Sequence, residues 1–321
     1  MDGVATSRAK ASGSAAAEIR RDSGFAPTDP AVYFDLFEPA RRTRKPTVMM
    51  IHGGGHTGTC YIHTPDGRPG WTQYFAARGH RVVVPDWPGT GRSGAVANDR
   101  LTGELVCRAL GGLIERLGEP VVVLTHSMSG AYGWKLIEEY GAHIPALVAV
   151  APGPPGNVQP PAEIVARTAD HIDIRRGGSV RRVPLREARL PDVEFVRGKL
   201  LGPNTRHFPM QAVESYARSL QSLPPRLMYE RQNVDASQLR IADTCPFRDK
   251  PILMVTGAED VDHTREIDGA IAAWLREIGA AIEFRFLADE GIAGNGHMLM
   301  LEENSDAIAG LIVDWIGARM R

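Results

Sequence analysis

Val121-Val-Val-Leu-Thr-His-Ser127-Met-Ser-Gly130 is the stretch on which the fold turns. Its four leading apolar residues, three of them β-branched, read as a strand buried on both faces. The run stops at a cluster of small polar residues, and a 3.6-residue helical pattern then continues to Tyr140. A nucleophilic serine on a sharp strand-to-helix turn needs small neighbours two positions away on either side. Here Thr125 and Ser129 hold the places of the two glycines in G-x-S-x-G. A serine that merely caps a helix is the plainer alternative; the buried run before Ser127 and Gly130 after it favour the elbow.

The same rhythm extends in both directions. Apolar runs at Thr47-Val-Met-Met-Ile51, Arg81-Val-Val-Val-Pro85, Ala146-Leu-Val-Ala-Val150, Pro251-Ile-Leu-Met-Val-Thr256 and Ile282-Glu-Phe-Arg-Phe286 predict further strands. Helical periodicity fills Leu101 to Gly118, Glu266 to Gly279 and Asp306 to Met320. Strands alternating with helices predict a mostly parallel, doubly wound α/β sheet. Residues 23–151 and 249–321 form this core. Residues 152–248 lose the alternation and become rich in Arg and Pro, with Arg175-Arg176, Arg181-Arg182 and Pro224-Pro225. So long a loop is improbable inside a compact domain, which predicts an inserted, mainly helical cap. Its arginines are either a solvated face or an attractor for an anionic substrate group. Residues 1–22, rich in Ala, Ser and Arg, are expected to form a flexible tail without the apolar stretch of a signal peptide.

The 321 residues carry 37 Lys and Arg against 38 Asp and Glu, so no basic field is available to hold nucleic acid or an anionic membrane. A chain of this length buries roughly 75% of its unfolded surface and needs no staple. Cys60, Cys107 and Cys245 are scattered and odd in number, which points to a reducing cytoplasm rather than to a disulfide framework or a metal cluster.

After the Thr47 strand comes His52-Gly-Gly-Gly55. Acyl transfer develops an oxyanion that needs backbone N–H donors, and glycines let the chain approach it. The expected donors are Gly54 or Gly55 together with Met128, the residue after the nucleophile. A phosphate-binding loop is excluded because no Gly-Lys-Ser/Thr and no G-x-G-x-x-G is present. A metal pair of His52 and His56 is disfavoured, since the two sit on a glycine loop rather than on a helix.

The next strand ends in Pro85-Asp86-Trp-Pro-Gly89-Thr-Gly91-Arg-Ser93-Gly94. Here the chain resembles the α/β-hydrolase superfamily, in which a D-x-x-G-x-G-x-S turn lies between oxyanion loop and nucleophile. The resemblance spans about residues 33–152 and 249–321. Thr57-Gly-Thr-Cys60 through Thr64-Pro-Asp-Gly-Arg-Pro-Gly-Trp71, His126-Ser127-x-Ser129-Gly130 and Gly294-Asn-Gly-His297-Met298 are similar to segments of a small group of bacterial serine carboxylesterases. That group has paired cysteines where this chain has Gly54 and Gly55, and an acidic Glu where this chain has Ala151.

The resemblance implies an α/β-hydrolase fold with an inserted helical cap and a triad in the order serine, acid, histidine. Ser127 is then the nucleophile, and His297, the one histidine after the last strand, is the base. Asp260, in Gly257-Ala-Glu-Asp260, stands at the superfamily's usual acid place, with Asp262, Glu259 and the cap residue Glu230 as alternatives. The expected activity is hydrolysis of a small-molecule carboxylic ester through an acyl-enzyme. A lactonase or a C–C bond (diketone) hydrolase would use the same triad, and a ligand-binding protein that lost turnover is the non-enzymatic alternative. The expected partner is a small ester or related acyl compound, with no nucleic acid, membrane, metal or organic cofactor. The oligomeric state stays open, a homodimer included.

Overall fold

Why the chain closes over one sheet is visible in the alternation of its strands. In the computed structural model, which describes residues 18–41, 43–176 and 178–320, Met49 and Ile51 pack on one face of the sheet. Val48 and Met50 pack on the other. Each central strand is therefore covered twice, as a parallel sheet requires.

The first part of the core comprises β1 (Ile19–Ala26), β2 (Val32–Pro39), β3 (Thr47–Ile51), α1 (Trp71–Ala77), β4 (Val82–Pro85), α2 (Gly103–Leu117), β5 (Val121–His126), α3 (Ser129–Tyr140) and β6 (Leu147–Val150). The insert holds β7 (Glu163–Arg167), β8 (His171–Arg176), β9 (Ser179–Pro184), α4 (Val193–Phe195), α5 (Val213–Ser219) and α6 (Pro225–Arg231). β10 (Pro251–Thr256), α7 (Arg265–Glu277), β11 (Ala281–Phe286) and α8 (Ser305–Arg319) complete the core. The sheet order is β1-β2-β4-β3-β5-β6-β10-β11, parallel from β4 to β11, with β2 antiparallel to both its neighbours. The six strands and four long helices expected from periodicity are all present. α1 and α8 cover one face with Trp71, Phe75, Ile308 and Ile312; α2, α3 and α7 cover the other with Leu110, Trp134 and Leu275.

This order places a functional crevice. From β3 the chain moves outward to β4, then returns past β3 to β5. The loops leaving the carboxyl ends of β3 and β5 therefore diverge, which opens a crevice at the switch point. The His52–Gly55 loop and the Ser127 turn leave those two ends.

Two expectations are corrected. The tail does not extend to residue 22, because Ile19 to Asp22 already pair with β2, Asp22 opposite Leu36. β1 is an edge strand with four exposed residues in a row, so it carries no apolar alternation to read. Residues 1–17 lie outside the described residues. The insert runs between β6 and β10, which are adjacent in the sheet, but it is only partly helical. β7, β8 and β9 form an antiparallel sheet with its own small core of Ile172, Ile174, Val183 and Val234. Ile172 and Ile174 carry the period-two signal, which the surrounding arginines mask.

The glycine turn after β4 is organised by Asp86. Its carboxylate accepts the Gly58 amide at 2.8 Å, the Arg92 amide at 2.9 Å and the Arg92 Nε at 2.9 Å. Burial would raise this carboxyl, but Arg92 and the two amides hold it below the usual range. Asp86 thus ties the end of β4 to the loop after β3. Asp86→Ala is expected to destabilise the protein by on the order of 2–3 kcal/mol, because buried donors lose their acceptor. Urea unfolding measures it; a loss below about 0.5 kcal/mol would mean that the turn is held by other contacts.

Candidate active site

β5 is fully buried and ends at His126, and the next residue, Ser127, adopts φ +53°. A non-glycine residue in the left-handed region is strained and persists only where its surroundings fix it. The Ser127 amide donates to the Val150 carbonyl at 3.0 Å, and its own carbonyl accepts the Gly130 and Gly153 amides at 2.8 and 2.7 Å. Ser129 adds a brace: its Oγ accepts the His126 amide and donates to the Ile51 carbonyl, both at 2.9 Å. Thr125 fits where a glycine is usual because α3 presents Gly133, whose absent Cβ would lie 2.8 Å from the Thr125 methyl.

The β3 loop passes directly beside this turn. A Cβ on Gly53 would lie 2.8 Å from His126 Nδ1 and 3.0 Å from Ser127 Cβ, so only glycine fits there. Gly54 lines the same cavity as Ser127 and Met128. Neither the Gly54 nor the Met128 amide has a hydrogen-bond acceptor among the described residues. Gly55 turns the other way, at φ +75°, and its carbonyl accepts the Gln221 amide. Of the two loop donors expected, Gly54 is therefore the one brought together with Met128.

His52 and His56 hold this loop by its carbonyls. His52 Nδ1 meets the Gly53 carbonyl at 2.9 Å while its Nε2 accepts the Trp87 amide at 3.2 Å. His56 Nδ1 meets the Gly54 carbonyl at 2.9 Å, and its Nε2 meets the Tyr216 hydroxyl of α5 at 2.7 Å. Burial pushes His52 down to about 4 and His56 down to about 3, so both rings are neutral. Among the described residues no group of three or more side chains is arranged to bind a metal.

His297 lies on the loop between β11 and α8, and its Nδ1 is 2.5 Å from Asp260 Oδ2. Asp260 follows β10, and its Oδ1 accepts the amides of Asp262 at 3.0 Å and His263 at 3.1 Å. Burial would raise Asp260, but His297, His263 and these hydrogen bonds outweigh it and hold the carboxyl at about 2. The acid and histidine loops touch backbone to backbone: a Cβ on Gly257 would lie 2.4 Å from the Gly296 carbonyl oxygen. Glu302 anchors the histidine loop by accepting the Gly296 amide at 2.7 Å and the Asn295 side-chain amide.

The other carboxylates considered for this role make no hydrogen bond or ion pair to His297 among the described residues. Asp262 pairs with Lys199 at 2.7 Å. Glu230 accepts the Gly103 amide at 2.7 Å, and no side-chain contact joins Glu259 to His297 among the described residues. Ala151, at φ +43°, is buried at the end of β6 and offers no acid.

Two histidines to which the sequence assigns no role flank His297. His126 Nε2 meets the His297 carbonyl at 3.0 Å, and burial keeps its ring well below the ordinary value. His263 stacks on His297 with ring centres 5.2 Å apart and pairs with buried Asp268 at 3.0 Å. Asp268 in turn accepts the Thr256 hydroxyl at 2.5 Å. Burial would lower His263, but Asp268 and Asp260 raise it overall. No sequence motif marks this second Asp–His pair, whose two members stand on either side of the N-cap of α7.

A cavity of about 410 Å³ opens where the insert meets these loops. The core contributes Gly54, Ser127, Met128, Asp262 and His297; the insert contributes apolar Val183, Phe195, Leu200, Leu223 and Met228 together with arginines and Lys199.

Residues 48–311 match the model of the alpha/beta hydrolase family. The chain is 26% identical to “Probable secreted lipase phiG” of a fungus (Fungal sp. strain ATCC 74256) over 89% of this chain and 85% of that protein. It is 33% identical to a 2-hydroxy-6-oxo-6-phenylhexa-2,4-dienoate hydrolase of Burkholderia cepacia, over 33% of this chain and 36% of that one. Among solved structures, a bacterial esterase superposes with a TM-score of 0.58 at 18% identity, covering 98% of this chain and all of that one. At that identity the likeness concerns the fold.

The His263–Asp268 pair has a pH signature. A histidine raised by folding contributes stability that is full below its unfolded value, near 6.5, and is lost as pH rises through the folded value. The penalty of His263→Gln in urea unfolding is therefore expected to be larger at pH 5.5 than at pH 9. Equal penalties would mean that folding leaves the ring's affinity for a proton unchanged, and a smaller penalty at pH 5.5 that the folded ring stays neutral.

Proposed function

This chain belongs to the alpha/beta hydrolase family, and on that footing we propose that it hydrolyses a carboxylic ester of a small molecule through an acyl-enzyme on Ser127. The observation that carries the reading is the buried His297–Asp260 pair opening onto the same cavity as a serine held at φ +53°.

In this mechanism His297 Nε2 takes the Ser127 hydroxyl proton as Oγ attacks the ester carbonyl. Asp260 accepts the His297 Nδ1–H, fixes the tautomer and supports the imidazolium. The Gly54 and Met128 amides receive the developing oxyanion. Collapse of the tetrahedral intermediate expels the alcohol, which takes the proton from His297. Water, deprotonated by His297, then releases the acid and regenerates Ser127. The insert acts as the cap that selects the substrate. Its apolar lining suits an acyl or alcohol chain of modest length.

Hydrolysis of a C–C bond in a diketone is the second reading, favoured by the likeness to the Burkholderia cepacia hydrolase. We place the protein in the cytoplasm. Its three cysteines are free thiols, as a reducing compartment keeps them, although the fungal relative is described as secreted. No helix among the described residues is long and apolar enough to cross a membrane.

Ser127→Ala is expected to lower kcat by on the order of 10⁶ and Asp260→Asn by roughly 10⁴, with unfolding midpoints near wild type. Glu259→Gln should change kcat by less than about threefold, within the scatter of surface substitutions. A panel of p-nitrophenyl esters beside lactones and diketones reads the reaction class. Turnover confined to the diketones would overturn the esterase reading, and retained activity in Ser127→Ala would overturn the nucleophile.

A further inference from the structure

The charge lining the cavity does not balance. Arg181, Arg182, Arg189, Lys199 and Arg231 face it with one carboxylate, Asp262. That carboxylate is already engaged by Lys199 at 2.7 Å and lies 3.9 Å from Arg181. Arg182 is bound to Asp173 at 3.0 Å, outside the lining, and Arg189 sits over the Phe195 ring at 5.6 Å. Arg231 is left over. It ends α6, it is less exposed than Arg181 or Arg182, and its guanidinium makes no ion pair or hydrogen bond among the described residues.

A half-buried guanidinium that has no partner of its own and faces a cavity lined mostly by like charge is placed to receive an anion. Arg231 also sits among like charges. Burial, and then the charge of Arg181, lower it against the pull of Asp262, and Arg176 and Lys199 are each lowered by burial and by the charges of Arg231 and Arg181. A bound anion would relieve all four cations at once. The planar fork of one guanidinium matches one carboxylate through two parallel hydrogen bonds. Arg181, Arg182 and Arg189, exposed on the insert, would draw such an anion inward.

We propose that the cavity takes a small ester that also bears a free carboxylate, with the ester carbonyl at Ser127 and the carboxylate on Arg231. This rests on the ester-hydrolase reading for the chemistry at Ser127, but the anion site stands on the cavity's own charges. It also separates the two meanings open for the arginines of the insert, giving Arg231 a ligand and leaving Arg182 to its structural partner.

The test compares 4-nitrophenyl hemiglutarate with neutral 4-nitrophenyl pentanoate, and carboxyphenyl butanoate with phenyl butanoate. The first pair puts the carboxylate on the acyl side, the second on the alcohol side. In wild type, one anionic ester should exceed its neutral partner in kcat/KM by about tenfold or more, the worth of a charged hydrogen-bonded pair. Arg231→Gln should abolish that ratio through KM, Arg231→Lys should keep part of it, and raising salt should shrink it in the unmodified enzyme. A ratio that is near one in both pairs, or that Arg231→Gln and salt leave unchanged, overturns the proposal. Calorimetric binding of glutarate to Ser127→Ala separates the two readings. Binding weakened about tenfold by adding Arg231→Gln supports the anion site even if neither ester is turned over, in which case the ester-hydrolase reading alone fails. Glutarate binding indifferent to Arg231 overturns the anion site even if both esters are hydrolysed.

Discussion

The left-handed backbone at Ser127 is the constraint around which the molecule is arranged. A serine cannot hold φ +53° by itself, and three hydrogen bonds hold it there, from Val150 on β6 and from Gly130 and Gly153 on either side. The same contacts fix how β6 ends. Ala151 is left-handed in turn, with its amide on the Val255 carbonyl of β10, and the chain leaves the sheet there to build the insert. The position of the serine, the start of α3 and the departure of the insert are one mechanical unit.

Around this unit the histidines divide into those that carry no charge and those held against carboxylates. His52, His56 and His126 are buried beside carbonyls, and desolvation keeps them neutral, so they serve as rigid braces for the loops at Ser127 and His297. His297 and His263 are each paired with a carboxylate, Asp260 and Asp268, and they stack on one another. His56 also reaches Tyr216, which couples the β3 loop to the insert, while the Leu200 carbonyl accepts the His297 amide at 3.3 Å. The insert is thus packed on both sides of the crevice, so a change in it is felt at the loops of Gly54 and His297.

Its cavity joins two kinds of surface: leucine, valine, methionine and phenylalanine beside a surplus of cations. Apolar walls supply most of the burial for a small ligand, and a few polar groups orient it. Asp262 keeps Lys199 and part of Arg181 in place, so the surplus comes to rest on Arg231 and is not spread over the whole lining.

The doubly wound core was legible because strands buried on both faces must be continuously apolar, and helices beside them must repeat every 3.6 residues. The left-handed turn at Ser127 and the pairing of His297 with Asp260 were legible because strained turns and close loop approaches tolerate few residue types around them. The edge strands β1, β7 and β9 were not, since mostly exposed strands place no demand on their composition, and in β8 arginines mask the alternation of Ile172 and Ile174. Tertiary structure alone decided which loop glycine faces the cavity and that Arg231 goes without a carboxylate. Each of these depends on distances between segments far apart in the chain. A local sequence constrains the conformation of its own backbone, but the charge balance and hydrogen bonding of a side chain are set by whatever the fold brings beside it.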